Sequence, residues 1–128
     1  NTTVTPDVHA GRVLVVSSTV GTNQRVITLD DPQVAGVYYQ FQYGGTAASG
    51  QDIIIKTETA TKSLAGNVIH VSTDSGFSSG IKADANTHDA LNLKDAAAFN
   101  INVLSNSAST WHVWGHVSGT TEPTFTSS

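Results

Sequence analysis

Apolar residues in this chain recur at every second position far more often than at helical spacing. In Gly36–Tyr43 (GVYYQFQY), Val37, Tyr39, Phe41 and Tyr43 fall on one face, and Tyr38, Gln40 and Gln42 on the other. Phe99–Leu104 repeats the pattern, with Phe99, Ile101 and Val103 opposite Asn100 and Asn102. Thr110–Ser118 (TWHVWGHVS) sets Trp111, Val113, Gly115 and Val117 against His112, Trp114 and His116. Shorter β-branched runs predict strands at Arg12–Ser18, Arg25–Leu29, Asp52–Thr57 and Asn67–Ser72. His88–Leu93 adds another, and Ile81–Ala83 a short edge strand. Turn chemistry separates them at Asp30-Asp31-Pro32, in the small-residue loop from Gly44 to Gly50, and at Thr59–Gly66, Thr73–Gly80 and Asn106–Ser109. The best helical candidate is Leu91–Phe99, where Asp95-Ala96-Ala97-Ala98 would make a single turn.

This pattern predicts an all-β domain, an antiparallel β-sandwich of jelly-roll type with eight or nine short strands. The expected organisation is an extended N-terminal arm over 1–10, one sandwich domain over 11–118, and a polar C-terminal tail over 119–128. The length of 128 residues suits one core rather than two.

Composition narrows the function. Charged residues make up only 12% of the chain, and six basic against ten acidic residues give a net charge of −4 with no basic block. A protein that tracks nucleic-acid phosphates needs the opposite balance. The absence of cysteine removes thiolate metal sites, disulfides and cysteine nucleophiles. No apolar run approaches the length of a membrane helix. The chain also lacks methionine, so Asn1 is expected not to be the translated start. Ser and Thr together number 31, which keeps strand surfaces wet without adding charge.

Candidate chemistry is sparse. On a strand, His112 and His116 stand about 13 Å apart and cannot share a tetrahedral zinc ion. Nothing in the spacing of His9, His70 and His88 brings them to a common point, so no metal or cofactor is expected. The loop Ala83–Ala90 (ADANTHDA) holds Asp84, His88 and Asp89. It offers a carboxylate–imidazole pair or a weak calcium site, against the simpler reading of a hydrophilic loop, which its lack of fixed ligand spacing favours. No serine lies in a Gly-x-Ser-x-Gly elbow, and no glycine-rich phosphate loop opens a helix. No catalytic residue is therefore assigned, and the chain does not read as an enzyme. The interface candidates are Tyr38, His112, Trp114 and His116, aromatic residues on the strand faces opposite the expected core.

Three stretches carry a resemblance. Arg25–Tyr43 (RVITLDDPQVAGVYYQFQY) runs from a strand through an acid–proline turn into an aromatic strand. Asp52–Ser72 (DIIIKTETATKSLAGNVIHVS) links two strands through Leu64-Ala65-Gly66, and Phe99–Gly115 (FNINVLSNSASTWHVWG) ends on strand, polar turn, tryptophan and strand. Together they resemble the β-rich modules of tailed-bacteriophage virions, namely head decoration (capsid cement) proteins and fibre or spike domains. The resemblance implies a structural virion component without catalytic chemistry. It would be a homotrimer on the exterior capsid surface, bound between capsomers of the major capsid protein. The alternative it leaves open is a receptor- or carbohydrate-binding module of a fibre or other surface protein, which would present Trp114 and the two histidines to a glycan or host receptor.

Overall fold

The computed structural model describes residues 2–16, 25–43 and 52–127. Within them lie eleven strands and one helical turn: β1 (Thr2–Val4), α1 (Pro6–His9), β2 (Val13–Val15), β3 (Arg25–Leu29), β4 (Tyr38–Tyr43), β5 (Asp52–Thr57), β6 (Ser63–Ser72), β7 (Ser78–Lys82), β8 (Ala90–Lys94), β9 (Ala96–Ser105), β10 (Thr110–Gly119) and β11 (Thr124–Thr126). They form an all-β domain of two mixed sheets. One has five strands in the order β1-β3-β5-β8-β11, the other six in the order β2-β4-β9-β10-β6-β7.

The expected all-β class holds. The expected purely antiparallel arrangement does not, and the described strands outnumber the eight or nine anticipated. Four pairs are parallel: β1 with β3, β3 with β5, β2 with β4, and β6 with β10. The cause is the path of the chain. From β1 to β5 each strand lies in the sheet opposite its predecessor. Neighbours within a sheet are then next-but-one along the chain, and two successive reversals restore the original direction.

The two sheets share one core. Leu29, Ile55, Leu91 and Leu93 from the five-stranded sheet meet Tyr39, Phe41, Ile101, Val103, Trp111 and Val113 from the six-stranded sheet in a single buried cluster. Alternation does the sorting: in β4 the residues Tyr39, Phe41 and Tyr43 are buried, while Tyr38, Gln40 and Gln42 are not.

Several local expectations change. The segments set aside as arm and tail each add a strand to the five-stranded sheet, because Val4 has core to fill beside β3 and Thr124–Thr126 pair with β8. Thr5 leads into Pro6 and Asp7, which start the α1 turn. Ser63–Gly66, read as loop, is the start of β6, held by its register with Thr110–Val113. The alanine run proposed as a helical turn lies in β9 instead. Asp95, at a φ of 46°, makes the reversal after β8, so tertiary pairing overrides alanine's helical preference. Asn1, Ser17, Ser18 and the loop from Gly44 to Gly50 lie outside the described residues. Among the described residues no helix is long and apolar enough to cross a membrane.

Candidate functional site: the outer face of the six-stranded sheet

Local backbone bonds occupy three of the five histidines. His9 Nδ1 accepts the Thr5 N–H at 3.0 Å, and His88 Nδ1 accepts the Asp84 N–H at 3.1 Å. Buried His70 donates from Nε2 to the Gly119 carbonyl at 3.1 Å. Each is fixed by a different turn or strand, and among the described residues no group of three His, Asp or Glu side chains could hold a metal.

The Asp84 loop is likewise consumed by its own backbone. Asp84 Oδ1 accepts the N–H groups of Asn86, Thr87 and His88 at 2.9, 2.9 and 2.8 Å, and Oδ2 accepts the Thr87 hydroxyl. These bonds, led by the Thr87 hydroxyl, hold the carboxyl well below the usual carboxylate range. His88 stacks on Phe125 with ring centroids 6.3 Å apart. Its Nδ1 lies 3.7 Å from Asp84 Oδ1, beyond hydrogen-bond distance, and accepts the Asp84 N–H instead, so the pair lacks the hydrogen bond of a catalytic dyad. Asp89 is buried, apart from this solvent-facing turn.

A cavity of about 310 Å³ opens between the N-terminal edge strands β1 and β2. Val4, Leu14, Ile27 and Phe41 line it with His9 and Arg25, and among the described residues its lining includes no Asp or Glu.

His112 and His116 remain, and the register brings all four sequence candidates to one surface. Gln40 lies beside Asn102, Asn102 beside Trp114, and Trp114 beside Asn67. One row further on, Gln42, Asn100, His116 and Ile69 are neighbours across the same strands. Tyr38 and His112 flank Leu104 in the row before. Tyr38, His112 and Trp114 are half-buried and His116 is exposed. Trp114 stands between two rings, with centroids 6.1 Å from Tyr38 and 5.4 Å from His112.

Two glycines let the strands come close enough for this surface to form. Gly115 has a φ of 140°, and a Cβ there would meet the Asn100 carbonyl oxygen at 2.0 Å. Gly66 has a φ of 99°, and a Cβ there would meet the Val113 carbonyl oxygen at 2.2 Å and the His112 ring at 3.0 Å. Both positions need a residue without a side chain.

Sequence reasoning placed the four aromatic and imidazole groups correctly on the face away from the core. It did not gather the carboxamides of Gln40, Gln42, Asn67, Asn100 and Asn102 around them. Their outward alternation within each strand was visible, but their adjacency depends on the β4–β9–β10–β6 order. It also passed over exposed apolar side chains at one corner of the same sheet: Ile69 and Val71 on the outer face of β6, 44% and 39% exposed, and Phe77 at the turn into β7, 79% exposed. The signal for that corner was Phe77, the one large apolar residue in a Ser- and Gly-rich stretch. No family model, curated protein or solved structure matches the chain.

Proposed function

We propose that this chain is a non-catalytic structural protein of a virion, a domain that decorates the exterior of a capsid by binding between capsomers as a homotrimer. Its fold is proposed to be a modified jelly-roll sandwich. The strand path supports that reading. From β3 to β9 the chain visits the two sheets in jelly-roll order, with alternating crossings, the hairpin β6–β7, and crossings back. In a regular jelly roll the last strand crosses to lie between the first and third strands of the opposite sheet. Here β10 folds back on β9 and inserts between β9 and β6. This displacement leaves β3 beside β5 and makes both that pair and β6–β10 parallel.

The apolar corner at β6–β7 carries the functional reading. Val71 registers with Ser78 and Ile69 with Gly80 on the outer face, while Phe77 accepts the Ser72 N–H at 2.9 Å through its carbonyl and so falls on the alternate side of the hairpin, at its turn. The two sheets already bury their inner faces against each other, so Ile69, Val71 and Phe77 stay exposed without a role in the core. Large apolar side chains left in water at the edge of a sheet are an ordinary basis of protein association. His116, registered with Ile69, borders this corner.

The test is the native mass by light scattering. Three chain masses are expected for the wild type, and Phe77→Asp should weaken association by about 2 kcal/mol or more without moving the urea midpoint of the dissociated chain. A monomer at 13.4 kDa in both proteins that also fails to bind capsid shells ends this reading.

A further inference from the structure

The half of the outer face that lies away from Ile69 and Val71 has a different chemistry. Gln40, Asn100 and Asn102 form a bonded carboxamide cluster under Tyr38. The Tyr38 hydroxyl donates its one proton to Asn102 Oδ1 at 2.6 Å, with Gln40 Oε1 at 3.3 Å as a weaker shared acceptor. Gln40 Nε2 and Asn102 Nδ2 both donate to Asn100 Oδ1, at 3.3 and 3.2 Å. Each amide orientation is thus set by its neighbours, and Trp114 stands beside the cluster with its ring held near Tyr38. In the register rows that make up this surface, the described residues include no carboxylate, and Lys82 at the far β7 edge is the only lysine or arginine.

This composition selects its ligand by elimination and by complementarity. A nucleic acid or an acidic peptide needs several cations, and a basic peptide needs carboxylates; these rows supply one lysine at the far edge and no carboxylate among the described residues. An apolar protein surface would desolvate the carboxamides without answering their remaining donors and acceptors, which is costly. A neutral sugar matches both components. Its hydroxyls donate and accept as carboxamides do, and the C–H face of its ring packs on an aromatic side chain. The preset amide orientations reduce the ordering that binding would require.

We propose that the surface formed by Tyr38, Gln40, Asn100, Asn102 and Trp114 binds an uncharged oligosaccharide. The aromatic rings contact its C–H faces and the carboxamides read its hydroxyls. The site is separate from the apolar corner and does not depend on the capsid reading.

Neutral hexasaccharides of gluco, manno and galacto configuration, with heparin as an anionic comparison, can be titrated by calorimetry and by tryptophan fluorescence. Trp111 is fully buried, so a fluorescence change on binding reports Trp114. At least one neutral sugar should bind. Trp114→Ala should weaken that binding by about tenfold or more, and Asn102→Leu, which keeps the volume and removes the amide, should do the same. Phe77→Asp should leave it unchanged. The proposal is overturned if no neutral sugar binds at millimolar concentration, if only heparin binds, or if binding survives both Trp114→Ala and Asn102→Leu. The second variant decides the matter should the first fail to fold.

Discussion

The inner and outer faces of the six-stranded sheet come from alternate positions of the same strands, yet they treat polar atoms in opposite ways. On the inner face Tyr39 and Trp111 pack with ring centroids 5.6 Å apart, and neither the Tyr39 hydroxyl nor the Trp111 Nε1–H has a hydrogen-bond partner among the described residues. On the outer face the Tyr38 hydroxyl and its carboxamide neighbours bond one another. Volume governs the first face, where large rings fill the space between sheets and the cost of an unanswered donor is tolerated. Directional bonding governs the second, where orientation matters and burial is partial. A substitution inside should therefore register as lost stability, and one outside as lost recognition.

The two tryptophans, on opposite faces of β10, test this contrast most strongly. Trp111→Ala should destabilise folding by about 3–5 kcal/mol, whereas Trp114→Ala should cost about 1 kcal/mol or less. Equal shifts in the urea midpoint would break the distinction. Gly115→Ala comes next. The Asn100 carbonyl blocks a Cβ there, so backbone must shift, at about 1–3 kcal/mol. Because that backbone carbonyl belongs to Asn100, whose side chain sits in the carboxamide cluster, this variant should disturb both stability and the outer surface. A change in only one of them would separate the two faces more sharply than the register implies.

The smallest effect at neutral pH belongs to Tyr39→Phe, which removes an unpartnered buried hydroxyl and should be neutral or slightly stabilising. Its signature lies in alkali. Burial, aided by the negative charge of Asp30, pushes the Tyr39 hydroxyl from about 10 up to about 12. The folded state therefore holds this proton more tightly than the unfolded chain. The associated stability is fully present below pH 10 and is lost as pH rises to about 12. Denaturation curves across that window should show a smaller loss for Tyr39→Phe than for wild type; identical losses would remove Tyr39 from the account.

Alternation made much of this legible in the sequence. Tyr39, Phe41, Ile101, Val103, Trp111 and Val113 were assigned inward and are buried. Tyr38, His112, Trp114 and His116 were assigned outward and share one surface. What escaped were features whose cause is remote in the chain. Ser63–Gly66 has poor intrinsic strand character and becomes a strand only because β10 lies alongside it. β1 and β11 have three residues each, too short to show a period. The carboxamide cluster depends on β4 meeting β9 some sixty residues later, as the separation of Gln40 from Asn100 records. Side-chain period is a local property, whereas strand partnership is not.

The placement of β9 and β10 also bears on how the protein is made. Among the described strands of the six-stranded sheet, β2–β4 on one side and β6–β7 on the other are joined through the β9–β10 hairpin. As the chain leaves the ribosome, β4 and β6 are available long before the segment that will bridge them. Completion of this sheet must therefore follow synthesis of residues 96–119, and until then both strands keep an open edge. Bridging such distant segments favours slow folding, and open edges expose the nascent chain to wrong partners. The β9–β10 hairpin, made after every strand it joins, is thus the one that closes the sheet.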